Sequence, residues 1–282
     1  MSRFFELTKP RITLFILMSM AIGFILGTRL GNPWTLMTLF HAMLGTFLIA
    51  SGTAALNQWY EREGDGLMNR TKKRPIPSGR VTANAALIFG TVISATGFAE
   101  LCLGVNLLTG GLALFTLASY LFVYTPLKRV SPISTTIGAI PGAMPPLIGY
   151  AAASGHLNYE AGILFAILFV WQFPHFYAIA WMYREDYARA GIRMLPVVEP
   201  DLDSTARRIL WFSFALVPLS LAPKFMSMAG NVYLIGAILL SGFVLYAGMQ
   251  ASAIRTLVQA RRVLLASIVY LPILYGLLAF DS

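Results

Sequence analysis

The sequence predicts an all-α, polytopic membrane protein. Of its 282 residues, 57% are hydrophobic and only 12% are charged, about half the charged fraction of ordinary soluble domains. A soluble single-domain chain of this length could not bury so much apolar surface. The apolar stretches are continuous and lack the two-residue alternation of a membrane-spanning β-barrel strand. These observations favour a bundle of transmembrane helices.

Nine apolar segments are each about 17 to 22 residues long, enough to cross about 30 Å of hydrocarbon as a helix. In chain order, the predicted spans are residues 12–28, 35–56, 83–104, 107–125, 133–153, 162–183, 209–226, 232–250 and 263–280. The chain is therefore expected to form a single membrane-embedded domain over residues 1–282.

The distribution of basic residues predicts the orientation. The chain has 21 Lys and Arg against 12 Asp and Glu, and nineteen of the 21 fall on one side of the nine-span arrangement. Only Arg29 and Lys224 fall on the other side. Because cytoplasmic loops carry the excess of Lys and Arg, we expect a cytoplasmic N-terminus and two long cytoplasmic loops, 57–81 and 184–208. The N-terminal residues resemble neither a cleavable signal nor a transit peptide, which favours a bacterial inner membrane.

The segment after span 2 contains a candidate metal and phosphate site. Asn57, Glu61 and Asp65 are spaced four residues apart, so they share one face if the helix continues past residue 56. Amide and carboxylate oxygens suit Mg²⁺, which completes its coordination with water and substrate phosphate. Four cations that suit phosphate follow directly: Arg70, Lys72, Lys73 and Arg74. The alternative is that these acids and bases only pair with one another and fix the topology.

A second acidic pair, Glu185 and Asp186, follows span 6 on the same predicted side. If the two acidic loops face each other across a cavity, each supplies one metal ion, and two ions would neutralise a leaving diphosphate. Ordinary ion pairs with Arg184 or Arg189 explain this segment equally well. Lys128 and Arg129, at the end of span 4, are either topology anchors or further diphosphate ligands.

His175 lies inside span 6, directly after Pro174. An ionisable group within a membrane span is a functional candidate by default, because burying it is costly. Three roles are open for this side chain: a ligand of haem iron, a base, or a hydrogen-bonding partner of a neighbouring helix.

Several stretches together resemble a known family. The Asn57-x₃-Glu61-x₃-Asp65 pattern is similar to the first acidic motif of the intramembrane aromatic prenyltransferase superfamily. Five further stretches resemble, within that superfamily, the protohaem IX farnesyltransferases (haem O synthases): residues 68–75, 124–129, 138–149, 171–175 and 186–198. The resemblance covers spans 1 to 6 and their loops.

The resemblance implies nine helices around a central cavity and Mg²⁺-dependent transfer of a farnesyl group. The donor would be farnesyl diphosphate and the acceptor a vinyl group of haem B, with addition of water, to give haem O and diphosphate. Besides these two substrates and the lipid bilayer, it implies assembly factors of haem-copper oxidases as partners. Nucleic acid is not expected.

The resemblance also assigns residues. The catalytic set is Asn57, Glu61, Asp65 and Asp186. The metal ligands are Asn57, Glu61 and Asp65 for one ion, with Glu185 or Asp186 serving a second. The diphosphate ligands are Arg70, Lys73, Arg74, Lys128 and Arg129. The haem-facing residues are Trp171, His175 and Tyr183.

Two other functions share some of these features. A prenyltransferase acting on a quinone precursor such as 4-hydroxybenzoate would carry the same acidic motif. A secondary transporter would carry acids near the middle of its spans, whereas nearly all acids of this chain lie at predicted helix ends.

Overall fold

The computed structural model describes residues 3–30 and 35–281, and in these ranges the chain is helical and contains no strand. The helices are α1 (Arg3–Leu7), α2 (Pro10–Gly27), α3 (Leu36–Tyr60), α4 (Arg62–Leu67), α5 (Ala83–Gly104), α6 (Leu107–Ala118), α7 (Thr125–Leu127), α8 (Ser134–Gly142), α9 (Pro145–Ser154), α10 (Tyr159–Met182), α11 (Arg184–Arg189), α12 (Leu195–Val198), α13 (Asp203–Phe225), α14 (Asn231–Ile254) and α15 (Leu257–Phe280). A 3₁₀ turn, Thr28–Leu30, follows α2, and a π-helical segment, Ser119–Tyr124, joins α6 to α7.

Eight helical segments within the described ranges are long and apolar enough to cross a membrane. They are α2, α3, α5, the continuous Leu107–Leu127 segment, α10, α13, α14 and α15. They correspond in order to eight of the nine predicted spans, which confirms the all-α, multi-pass class. The predicted cytoplasmic N-terminus remains a prediction.

The predicted fifth span, residues 133–153, is not one continuous helix. It consists of α8 and α9, separated by Ala143 and Met144. Pro145 and Pro146 cause the break, because proline lacks an N–H donor and its ring clashes with the preceding turn. Pro145 instead occupies the first turn of α9, where its missing donor costs nothing. The predicted count of nine spanning helices is therefore not confirmed: the described residues form eight long helical segments and this broken pair.

The helices pack around two apolar clusters. One cluster joins α2, α3, α5, α6 and α9 through buried side chains that include Met20, Ile49 and Leu101. The other joins α10, α13, α14 and α15. Large apolar side chains such as Leu103 and Phe225 remain exposed on the outside, as expected of a surface that faces lipid.

The contact between α2 and α9 depends on two glycines. A Cβ atom added to Gly23 would collide with the backbone carbonyl of Pro146, and one added to Gly149 would collide with the carbonyl of Met20. Small residues allow helix backbones to approach this closely in membranes. The contact fixes α9, and hence the broken pair, against the first span.

The two longest connections lie side by side at one end of the bundle, where α3 and α10 end and α5 and α13 begin. We call this the polar end; it consists of residues 61–82 and 183–202. Buried Met68 from the first connection packs against Tyr187 and Ile192 from the second. Leu7, in α1, packs against Ile76 and so attaches the N-terminal segment to the same end.

We predict that Gly149→Ala destabilises the protein by about 1–3 kcal/mol, because the added methyl group forces α2 and α9 apart. The measurement is thermal unfolding of the purified protein in detergent. Gly162→Ala is the matched control, since this glycine also lies in a helix but has open space around it. Equal melting temperatures for the two variants would contradict the role of the α2–α9 contact.

Candidate active site

The helical path past α3 brings the first acidic motif onto one face. The helix is interrupted only at Glu61, whose N–H donates to the Asn57 carbonyl at 2.9 Å, and the Asp65 N–H donates to the Glu61 carbonyl at 2.8 Å. This i to i+4 bonding continues the helical register into α4. The Asn57 amide Nδ2 donates to Glu61 Oε2 at 3.0 Å, so these two side chains lie together as the spacing predicts.

Glu61 forms an ion pair with a cation from a distant helix. Its Oε1 lies 2.8 Å from the Nζ of Lys128, directly after α7. Burial alone would raise the pKa of Glu61, but Lys128, Lys9 and Asn57 hold this pKa below its usual range. The carboxylate is therefore ionised at neutral pH, as a metal or cation site requires.

The π-helical segment encloses Lys128 with aromatic rings. The Lys128 Nζ lies 4.4 Å from the ring centre of Tyr124 and 5.8 Å from that of Tyr120. Burial opposes the charged ammonium, but Tyr124 and Glu61 outweigh this effect and raise the pKa of Lys128. π-helical turns occur often at functional sites, and this one fixes a buried cation beside the acidic motif.

Asp65 is completely buried and pairs with Arg74. The Arg74 Nη1 donates to both carboxylate oxygens, at 2.7 and 2.6 Å. The hydroxyl of Thr71 donates to the Asp65 carbonyl at 2.8 Å. Removing one member of a buried ion pair typically costs about 3–5 kcal/mol, so this pair holds residues 65–74 in a closed turn.

Lys9 belongs to the same cluster, although the sequence predicts only a topology charge at this position. Its Nζ donates to Asn57 Oδ1 at 3.0 Å. Burial lowers the pKa of Lys9 to about 7, and the neighbouring cations Arg74 and Lys128 act in the same direction. The sequence shows a lysine directly before Pro10, which begins α2, but no sequence pattern places this lysine near Asn57.

Asp186 binds the backbone of the first acidic segment. Its carboxylate accepts the N–H of Asn69 at 3.3 Å and that of Arg70 at 3.1 Å, and it also pairs with Arg189. Burial opposes ionisation, but these hydrogen bonds and Arg189 lower the pKa of Asp186. The Arg70 guanidinium lies over the Tyr183 ring, 5.2 Å from its centre. The two acidic segments are thus joined to each other.

The carboxylates of the two segments line neighbouring cavities. Glu61 and Asp65 line a small cavity of about 10 Å³, together with Lys128 and Arg129. Glu185 and Asp186 line a larger cavity of about 370 Å³. The Met68–Arg70 backbone lies between the two groups. The two cavities that these acids line are separate, and a cavity shared by both acid pairs stays a prediction.

The first acidic motif has the donor set for Mg²⁺: one amide oxygen from Asn57 and two carboxylates, from Glu61 and Asp65. Each of these groups contacts a cation, so a metal ion would displace Lys9, Lys128 and Arg74 from them. Within the described part of the chain, this motif included, no three His, Cys, Asp or Glu side chains come together as a metal site. Both Asp186 oxygens already accept N–H bonds, whereas the exposed Glu185 has no such partner.

Two predicted diphosphate ligands lie farther from the paired acids. Arg129 is exposed near Gly64 and lines the small cavity. Lys73 is exposed, and its side chain makes no hydrogen bond or ion pair with the residues that the structure describes. The structure thus brings Lys128 and Arg74 into the centre of the cluster and leaves Lys73 at its edge.

His175 lies between α10 and α15. Its Nδ1 is 2.9 Å from the Ser267 hydroxyl, and its ring stacks on Trp171 with ring centres 4.7 Å apart. The Trp171 Nε1 donates to the Ser267 carbonyl at 2.8 Å. Of the three roles left open, the structure shows the interhelical hydrogen bond. Tyr183 lies about two turns farther along the chain, at the larger cavity.

Comparison with known proteins decides the family. Residues 16–273 match the model of the UbiA prenyltransferase family. The chain is 59% identical to a protoheme IX farnesyltransferase from Solibacter usitatus (strain Ellin6076), and the match covers 100% of this chain and 99% of that relative. This chain belongs to the UbiA prenyltransferase family, among the protoheme IX farnesyltransferases. The predicted resemblance is confirmed, and the quinone-precursor and transporter alternatives are disfavoured.

Two solved structures share the fold of this chain. A digeranylgeranylglyceryl phosphate synthase superposes with a TM-score of 0.82 at 18% identity, covering 99% of this chain and 97% of that one. A UbiA homolog from Archaeoglobus fulgidus bound to GPP and Mg²⁺ superposes with a TM-score of 0.68 at 16% identity, covering 99% and 100%. The chain is therefore a multi-pass membrane prenyltransferase with the helical architecture of UbiA proteins.

We predict that Asp186→Ala releases the backbone that it binds. The amide hydrogens of Asn69 and Arg70 should then exchange with solvent about 10- to 100-fold faster, because hydrogen bonds to a charged acceptor are lost. Hydrogen–deuterium exchange followed by mass spectrometry measures this change. Glu185→Ala is the control, because that neighbouring carboxylate accepts no bond from this backbone. Unchanged exchange in Asp186→Ala would contradict the assignment.

Proposed function

We propose that this chain transfers the farnesyl group of farnesyl diphosphate to a vinyl group of haem B. The allylic C–O bond of the donor breaks and releases diphosphate, while the terminal vinyl carbon forms the new C–C bond. Water then adds to the inner vinyl carbon and loses a proton, which gives haem O. The full-length 59% identity to a protoheme IX farnesyltransferase carries this proposal.

Cations within the polar end and directly beside it suit the diphosphate. Lys128 and Arg74 now neutralise Glu61 and Asp65. Mg²⁺, when held by Asn57, Glu61 and Asp65, supplies positive charge that offsets the charge developing on the leaving group. Lys128 and Arg74 are then available to phosphate oxygens, joined by Arg70, Lys73, Arg129 and Lys9. Contacts that strengthen as the C–O bond breaks stabilise the transition state selectively.

We propose that Glu185 or Asp186 holds a second ion. The Asp186 carboxylate already accepts the N–H groups of Asn69 and Arg70. This supports a role in positioning that backbone, in addition to any role as a metal ligand. Glu185 is exposed at the larger cavity and has both oxygens available to a cation.

The hydrogen bonds of His175 favour a role toward the acceptor. The Ser267 hydroxyl donates to the Leu264 carbonyl at 2.7 Å, so its oxygen accepts the Nδ1–H of His175. The neutral ring then carries its lone pair on Nε2, the arrangement that metal-binding histidines use. We propose that Nε2 faces the haem iron, with Trp171 and Tyr183 contacting the macrocycle.

The location follows from the charge distribution. We propose that the protein spans a bacterial inner membrane with the polar end in the cytoplasm, because the basic residues concentrate at that end. Both substrates have long apolar parts that the bilayer supplies. Assembly factors of haem-copper oxidases remain predicted partners.

In the decisive experiment, the purified protein is incubated with haem B, farnesyl diphosphate and Mg²⁺, and the molecular mass of the extracted porphyrin is measured. We expect the mass of haem O, and loss of the product when EDTA removes the metal.

Asp65→Asn should lower turnover about 100-fold or more, because the buried carboxylate is needed for charge stabilisation at the leaving group. Asp201→Asn, an exposed acid at the same end, is the control. Full turnover of Asp65→Asn would overturn the metal assignment.

We also predict that His175→Ala weakens haem B binding about tenfold or more, since the iron loses its protein ligand and Trp171 its stacking partner. Titration of the Soret band measures the dissociation constant. His156→Ala, in a connecting segment before α10, should bind haem B as the wild type does. An unaltered titration for His175→Ala would exclude the histidine from the acceptor site.

A further inference from the structure

The larger cavity of the polar end is lined by charged side chains of both signs, three arginines and the carboxylates of Glu185 and Asp186. It lies between the end of α10, helix α11 and the connection from α14 to α15, and its volume of about 370 Å³ is in the range of small-molecule sites. Three arginines line it: Arg184, Arg189 and Arg255. Two of them come from the segment after α10, and the third comes from a connection that sequence analysis assigned no function.

The three arginines differ in how far their charge is already neutralised. Arg189 pairs with Asp186. Arg255 uses Nη1 to contact Asp203 and Nε to reach the Ser252 carbonyl at 3.4 Å, which leaves its Nη2 free to donate. Arg184 is half-buried and makes no ion pair or side-chain hydrogen bond with the described residues. A partly desolvated guanidinium without a partner favours binding an anion.

Arg255 also has an unusual backbone conformation. It ends α14 with φ +49° and ψ +45°, the left-handed region that glycine normally occupies at this position. A residue with a Cβ atom is disfavoured there. Such conformations cluster at binding sites, where the surrounding structure holds them. Here the conformation places a cation at the rim of the cavity.

Apart from these charged groups and Asn69, the walls are mostly apolar. Trp181 and Tyr183 come from the end of α10, Leu202 from the segment before α13, and Leu257 from the first turn of α15. Helices α10 and α15 also carry His175 and Ser267, about two to three turns deeper in the bundle. A ligand that suits this arrangement has a flat apolar body along α10 and α15 and an anionic edge at the polar end.

We propose that this cavity binds the two carboxylate groups of the haem acceptor, through Arg184 and Arg255. This inference rests on the proposed function and identifies the acceptor subsite. The vinyl groups of haem B lie on the edge of the macrocycle opposite its carboxylates. Holding the carboxylates at one fixed rim therefore determines where the reacting vinyl group lies. Guanidinium groups bind carboxylates through paired N–H bonds, which sets direction as well as affinity.

The experiment compares two acceptors that differ only in charge. The purified full-length protein is titrated with haem B and with its dimethyl ester, whose carboxylates are masked, and the Soret band reports binding. We expect Arg184→Gln and Arg255→Gln each to raise the dissociation constant for haem B about tenfold, because a charged hydrogen bond at a partly exposed site is lost. Neither substitution should change the affinity for the ester.

Two further variants keep the experiment interpretable. Arg184→Lys retains the charge but loses the paired N–H bonds, so its affinity for haem B should lie between that of Arg184→Gln and that of the wild type. Arg261→Gln, an exposed arginine in α15 that lies outside the cavity, should titrate as the wild type with both acceptors. The dissociation constant for farnesyl diphosphate should not change in Arg184→Gln or Arg255→Gln.

The inference is overturned if both arginine variants bind haem B as tightly as the wild type, or if they bind the ester as weakly as they bind haem B. An effect seen only after phosphatidylglycerol is added would identify a lipid headgroup as the anion and would also overturn it. The proposed function is tested separately. If the wild-type protein binds haem B but yields no farnesylated porphyrin, the proposed reaction is contradicted, and the result on carboxylate binding is unaffected.

Discussion

The polar end depends on the need to pair carboxylates that are removed from water. Asp65 is fully buried and Asp186 nearly so, and an uncompensated charge at such a site costs several kcal/mol. Their partners come from other segments: Arg74 for Asp65, and the Asn69 and Arg70 backbone for Asp186. The pairing of Asp65 with Arg74 therefore folds the connection after α3 into a closed turn. The hydrogen bonds to Asp186 fix this connection to the one after α10.

The same pairs give the site its chemistry. Each oxygen group of the first motif contacts a cation that also suits phosphate, so charge is balanced before any substrate arrives. In the reaction that we propose, a metal ion would take the oxygen ligands of this motif, and the released cations would contact the phosphate oxygens. The π-helical segment contributes by holding Lys128 beside Glu61 and near the rings of Tyr120 and Tyr124.

The rest of the bundle positions this end by close packing. Gly23 and Gly149 allow α2 to touch α9, and this contact holds α9 in place despite the proline break. A broken helix at membrane depth is stable only where neighbours cover it, and α2 and α10 both pack against the α8–α9 pair. The connection that carries Lys128 leads directly into α8, so the break and the active site are neighbours along the chain.

The sequence by itself determined the membrane class and eight of the spans through composition, the face shared by Asn57 and Glu61 through the helical period, and the family through the resemblance of several stretches. Only the tertiary structure revealed the partners of these groups. Lys9 and Asn57 are 48 residues apart, Lys128 and Glu61 are 67 apart, and Asp186 and Asn69 are 117 apart. No periodic pattern connects such residues; their contacts exist because helices from distant parts of the chain pack side by side and bring their polar ends together.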